Sequence, residues 1–130
     1  MQSFPLGLAA IFLLVGPASA ETIQRTVKAN AKTTVGGIFI FNTTTCSGSV
    51  IPDAKVGEQP RNGSVVVQVQ TTTLGKQGEC AGHKVTGPVF VYTPNRGFTG
   101  TDSFTIEYPF ARAESRPATL MSRTYQLRVE

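Results

Sequence analysis

The stretch that decides the fold is "YTPNRGFTGTDSFTIEY", residues 92–108. It reads as a strand, a turn and a second strand. Pro94 fixes φ and has no N–H to give a ladder, so the strand carrying Tyr92 is expected to stop at Thr93. Gly97 and Gly100 permit the positive φ that tight turns demand. Phe98, a large apolar residue between them, is expected to plug the end of a core. Beyond the turn, Phe104, Ile106 and Tyr108 alternate with Ser103, Thr105 and Glu107, the period of a half-buried strand. Asp102 opens that strand. Its carboxylate can accept hydrogen bonds from nearby backbone N–H groups and lock the corner, as Thr99, Thr101 and Ser103 can more weakly. Every residue in the stretch has a structural task.

The same texture extends in both directions. "SVVVQVQT" (64–71) sets Val65, Val67 and Val69 against Ser64, Val66, Gln68 and Gln70. "VFVYT" (89–93) is a strand, and "RTYQLRVE" (123–130) turns Tyr125, Leu127 and Val129 inward. "GIFIF" (37–41) is nearly all apolar, as a buried strand would be, and a weaker strand is expected within 22–29. "DAKVGEQPRNG" (53–63), "TLGKQGECAGH" (73–83) and "PFARAESRPATLM" (109–121) read as loops, the second as a long hairpin loop. No window shows a sustained helical period. The expected fold is all-β: a two-sheet, immunoglobulin-like antiparallel sandwich of six or seven strands in a single domain, residues 21–130.

The first twenty residues carry no charged side chain. An apolar run from Leu6 to Val15 precedes Gly16, Pro17 and Ala18-Ser19-Ala20, an h-region followed by an A-x-A cleavage signal. The run is far shorter than the roughly 20 residues a membrane span needs. Residues 1–20 are therefore expected to be a signal peptide cleaved before Glu21, and the mature chain to be periplasmic or secreted, with no membrane span. In such a compartment the two cysteines, Cys46 and Cys80, are expected to form a disulfide.

All twelve Lys and Arg and all eight Asp and Glu follow the leader, for a net charge of +4. The basic residues are dispersed and Trp is absent, so no nucleic-acid stripe is expected. Mild positive charge favours anionic envelope polymers only weakly.

The residues of 60–108 also carry a resemblance. Pro60, Gly63 and Val65, then Tyr92, Pro94, Phe98, Gly100, Asp102, Phe104 and Tyr108, resemble the "P-x-x-G-x-V" and "Y-x-P-x-x-x-F-x-G-x-D-x-F" signature of the bacterial immunoglobulin-like, cadherin-like repeat. That resemblance implies a sandwich. It says little of function, because the family occurs in adhesins, surface proteins and stand-alone exported domains. This chain holds one copy, not a tandem array. Its only Asp residues are Asp53 and Asp102, too few for the clustered carboxylates of a cadherin-type calcium site.

Chemistry is sparse elsewhere. His83 is the only histidine, in a Gly-rich loop with no nucleophile signature beside it. One histidine with two disulfide-bonded sulfurs cannot hold zinc. Glu79, Glu107 and Asp102 are candidates for a carboxylate pair, but Glu107 falls on the polar side of its strand. Asn42 and Asn62 fit an N-x-[ST] pattern and read as turn residues. No catalytic residue, cofactor or metal is expected. The expected role is a non-catalytic binding, adhesion or envelope-structural module, with an unknown protein or a cell-envelope polymer as partner. The alternatives are a small periplasmic inhibitor of a hydrolase and a subunit of a surface fibre. Binding surfaces are expected on 73–84 and on 109–118, where Phe110 stands near Arg112 and Arg116.

Overall fold

A computed structural model describes residues 20–48, 50–76, 78–110 and 117–130. Residues 1–19 of the expected leader (1–20) and residues 111–116 lie outside the described residues, and the leader's last residue, Ala20, is the first of β1. Seven strands follow: β1 (Ala20–Val27), β2 (Thr33–Gly37), β3 (Lys55–Glu58), β4 (Gly63–Thr73), β5 (Lys84–Pro94), β6 (Gly100–Phe110) and β7 (Thr119–Val129). They form a four-stranded sheet, β1-β7-β6-β3, facing a three-stranded sheet, β2-β5-β4. The orders β7-β6-β3 and β2-β5-β4 are those of strands G-F-C and B-E-D of an immunoglobulin sandwich. The first strand joins the G-F-C side, where it pairs parallel with β7. That one parallel pair departs from the antiparallel expectation; every other pairing is antiparallel.

The alternation read from the sequence sets the core. Phe104, Ile106 and Tyr108 of β6 and Tyr125, Leu127 and Val129 of β7 meet Phe90 and Tyr92 of β5 and Val65 of β4 between the layers. Phe104 stacks on Tyr125 with centroids 4.9 Å apart, and Phe90 meets Tyr125 edge-on at 5.7 Å. Phe98 packs half-buried against this cluster, the expected plug.

Three expectations are corrected. "GIFIF" is not a strand: β2 ends at Gly37, Ile38 N donates to the Pro88 carbonyl at 2.9 Å, and Ile40 makes a single isolated bridge with Val50. Pro88 has no N–H with which to return the bond, so the ladder stops. "DAKVGEQPRNG" is not all loop, because Lys55–Glu58 pairs with β6 through a bulge between Val56 and Glu58. Its residues are weak strand formers, but they lie along an otherwise open edge of β6. The loop expected over 109–121 is shorter. Pro109 pairs with Leu120 and Phe110 with Thr119; β3 reaches only Glu107, so past it β6 has one neighbour and tolerates a residue without N–H. Val69 keeps the phase of Val65, opposite Pro88, yet is 61% exposed on this edge strand.

Candidate functional site

The corner of 92–102 is built around one carboxylate. Asp102 lies on the inward side of β6 and is 8% exposed. Oδ1 accepts from the Arg61 amide at 3.1 Å and the Ser103 amide at 3.0 Å. Oδ2 accepts from the Asn62 amide at 3.2 Å and the Tyr92 hydroxyl at 2.7 Å. Tyr92 belongs to the three-stranded sheet and Asp102 to the four-stranded one, so the carboxylate ties the layers at one end. A carboxylate offers about four lone-pair sites, and four donors occupy them. Such charge-assisted bonds offset the cost of burying the charge. Burial, then the hydrogen bond and charge of Asp102, push the Tyr92 phenol far above its usual range.

Around it the turn has the expected chemistry. Gly97 (φ 79°) and Gly100 (φ 132°) are left-handed. Asn95 N donates to Asn62 O at 2.8 Å, and Gly97 N to Asn30 Oδ1 at 2.8 Å. Pro94 is the last residue of β5, one beyond the expected stop. Of the four donors to Asp102, Ser103 N is local, whereas the Arg61 and Asn62 amides come from forty residues upstream, in the loop into β4.

The opposite end of β4 and β5 holds the second cluster. Leu74 N donates to His83 O at 2.8 Å and Gly82 N to Leu74 O at 3.1 Å, closing the hairpin below loop 75–82. A disulfide joins Cys80 in that loop to Cys46, with Cα atoms 5.3 Å apart. Cys46 sits in a turn set by Asn42, whose Oδ1 accepts from the Thr44 amide at 2.7 Å and the Thr45 amide at 3.1 Å. Asn42 is thus a turn residue, as expected. Between the two loops lies an apolar cleft of about 290 Å³, lined by Phe41, Thr43, Leu74, Glu79 and Cys80. Sequence reading pointed to this loop but not to the cleft, whose far wall comes from Phe41 and Thr43. His83 and Glu107 are both exposed; His83 closes the hairpin at the far end of β5, and Glu107 stands five residues along β6 from Asp102, on the outward face, so neither meets Asp102.

A broader polar groove of about 780 Å³ runs over the four-stranded sheet, with Gln24, Thr26, Arg61, Ser103, Gln126 and Arg128 along it. The outward residues of "RTYQLRVE", Gln126 and Arg128, are the part of this groove that the strand alternation marks; its other walls come from β1 and the loop into β4. Among the described residues, no group of three or more His, Cys, Asp or Glu is placed to hold a metal ion. Likewise no helix is long and apolar enough to cross a membrane. Of the second expected binding loop, 111–116 lies outside the described residues.

Compared with protein-family models, with curated proteins and with solved structures, the chain matches none.

Proposed function

We propose that this protein is an exported, non-catalytic binding module of the immunoglobulin-like kind, and that it engages a protein partner through the end of the β4–β5 hairpin. The observation that carries this reading is the disulfide-anchored cleft. The base of the hairpin loop is fixed by the Leu74 N to His83 O and Gly82 N to Leu74 O bonds, and Cys80 within it is tied to Cys46. A loop held in advance loses little entropy on binding. An apolar recess beside Leu74 suits an anchoring side chain better than a sugar polymer. The disulfide itself fits an oxidising compartment outside the cytosol, in keeping with the leader read from residues 1–20. The chain's kinship with the bacterial immunoglobulin-like repeats rests on the Pro60–Tyr108 signature. The rigid loop would equally serve a periplasmic inhibitor, which a nanomolar complex with one hydrolase would single out.

The test is affinity capture from envelope extract with the mature protein beside Leu74→Asp and a reduced sample. One partner should be retained by the oxidised wild type and lost from both others. Equal recovery on all three would overturn the reading. The mass of the protein isolated from its own host should correspond to residues 21–130; an intact 1–130 mass in the exported fraction would overturn the leader.

A further inference from the structure

The four sheet edges are not treated alike. β2 has five residues and a bulge, and the Arg25 and Arg123 guanidiniums donate to its Val35 and Gly37 carbonyls at 3.2 Å each. β3 has four residues, a bulge, and Pro52 and Pro60 on either side. β1 carries Glu21 and Arg25. These are the usual guards against edge-to-edge pairing. β4 has none: "GSVVVQVQTTT" is eleven residues long without a charge, a proline or a break in register.

Which of its backbone groups are open follows from two sets of bonds. At Val65, N–H donates to Gln59 Oε1 at 3.1 Å and C=O accepts from Gln59 Nε2 at 3.3 Å. Val65 therefore faces the free edge, where the Gln59 amide acts as a one-residue strand. Leu74, of opposite parity, bonds inward to His83 and Gly82. In an antiparallel ladder the two kinds of residue alternate, and β4 keeps one register throughout. Val67, Val69, Thr71 and Thr73 thus point their N–H and C=O groups outward, beyond the reach of Gln59.

We propose that this edge pairs with itself: segment 67–73 of one copy lies antiparallel to 67–73 of a second, about a two-fold axis at Gln70. This register sets Val67 against the second copy's Thr73 and Val69 against its Thr71, so every open group gains a partner and neither Gln59 is displaced. A register centred on Val69 would need Val65, which is taken. One centred on Thr71 would leave Val67 unpaired. An uncharged edge opposes itself without repulsion, and Val–Thr neighbours suit a sheet. A closed two-fold contact stops at the dimer. The ladder is short against a standard interface, so the dissociation constant belongs in the range of about 10 µM to 1 mM.

Sedimentation of the oxidised mature protein from about 1 µM to about 1 mM tests this. A reversible monomer–dimer equilibrium is expected. Val69→Pro removes an outward N–H while leaving the β4–β5 bonds in place, and should weaken dimerisation roughly tenfold or more. Because that variant could also loosen β4, register is read separately. In Gln70→Cys the two thiols face each other in a non-hydrogen-bonded pair, with Cα atoms about 4.5 Å apart, and should cross-link in air. In Gln68→Cys they lie roughly 14 Å apart and should not. A monomer throughout the range, larger polymers, or equal cross-linking at 68 and 70 would each overturn the proposal.

Discussion

Replacing Asp102 with alanine removes the acceptor from four donors at once. The Tyr92 hydroxyl suffers most, because Tyr92 is fully buried. A buried polar group left without a partner costs about 1–3 kcal/mol. The Arg61 and Asn62 amides lie where water can reach in part, and losing their bonds costs about 0.5–1 kcal/mol each. The sum is about 2–5 kcal/mol against a typical domain stability of about 5–15 kcal/mol. At about 4–8 °C per kcal/mol for a domain near this size, Tm should fall by at least about 8 °C. Urea unfolding with the disulfide intact gives the free energy directly. Asp102→Asn should cost nearly as much, since its NH₂ would confront donors. A solvent-exposed aspartate would change stability by about 0.5 kcal/mol or less. A loss under about 1 kcal/mol for Asp102→Ala would therefore refute the reasoning.

Other outcomes follow from the same structure. Replacing Cys46 and Cys80 with serine opens a loop of sequence separation 34 and should cost about 4 kcal/mol on the chain-entropy account, read as a lower urea midpoint. Gly87→Ala should cost about 1–3 kcal/mol, measured the same way, because its Cβ would overlap the Ile38 carbonyl where β2 leaves β5. Burial raises the folded-state pKa of Tyr92, with Asp102 adding to the shift, and burial raises Tyr125 against the opposing pull of Arg123. An unfolded phenol ionises near pH 10, so the stability held by these neutral phenols is complete below about pH 10 and is lost as pH climbs toward the folded values. Urea midpoints between about pH 9 and 11.5 should fall, and fall less steeply in Tyr92→Phe.

Much of this architecture was visible where local pattern and burial agree. The alternation of 103–108 and 123–130 names the inward residues, and the Gly97–Gly100 spacing marks the turn. Pattern failed where a neighbour decides. Lys55–Glu58 has no strand signature of its own and pairs because β6 offers an edge. "GIFIF" has the composition of a strand, but it faces Pro88. The parallel β1–β7 pair joins opposite ends of the chain and leaves no local mark. The task of Asp102 could be inferred from its residue type beside two glycines. The adjacent Ser103 amide was the kind of donor to expect; the Arg61 and Asn62 amides were not, since they are brought to it only by packing of the sheets.

The central claim is that Asp102 is a structural tie between the two layers, saturated by Tyr92 and the 61–62 amides. A double-mutant cycle of Asp102→Ala and Tyr92→Phe in urea tests it most directly. The account predicts that Tyr92→Phe is markedly less costly once Asp102 is gone, with a coupling of about 1–3 kcal/mol. Additive losses would contradict it.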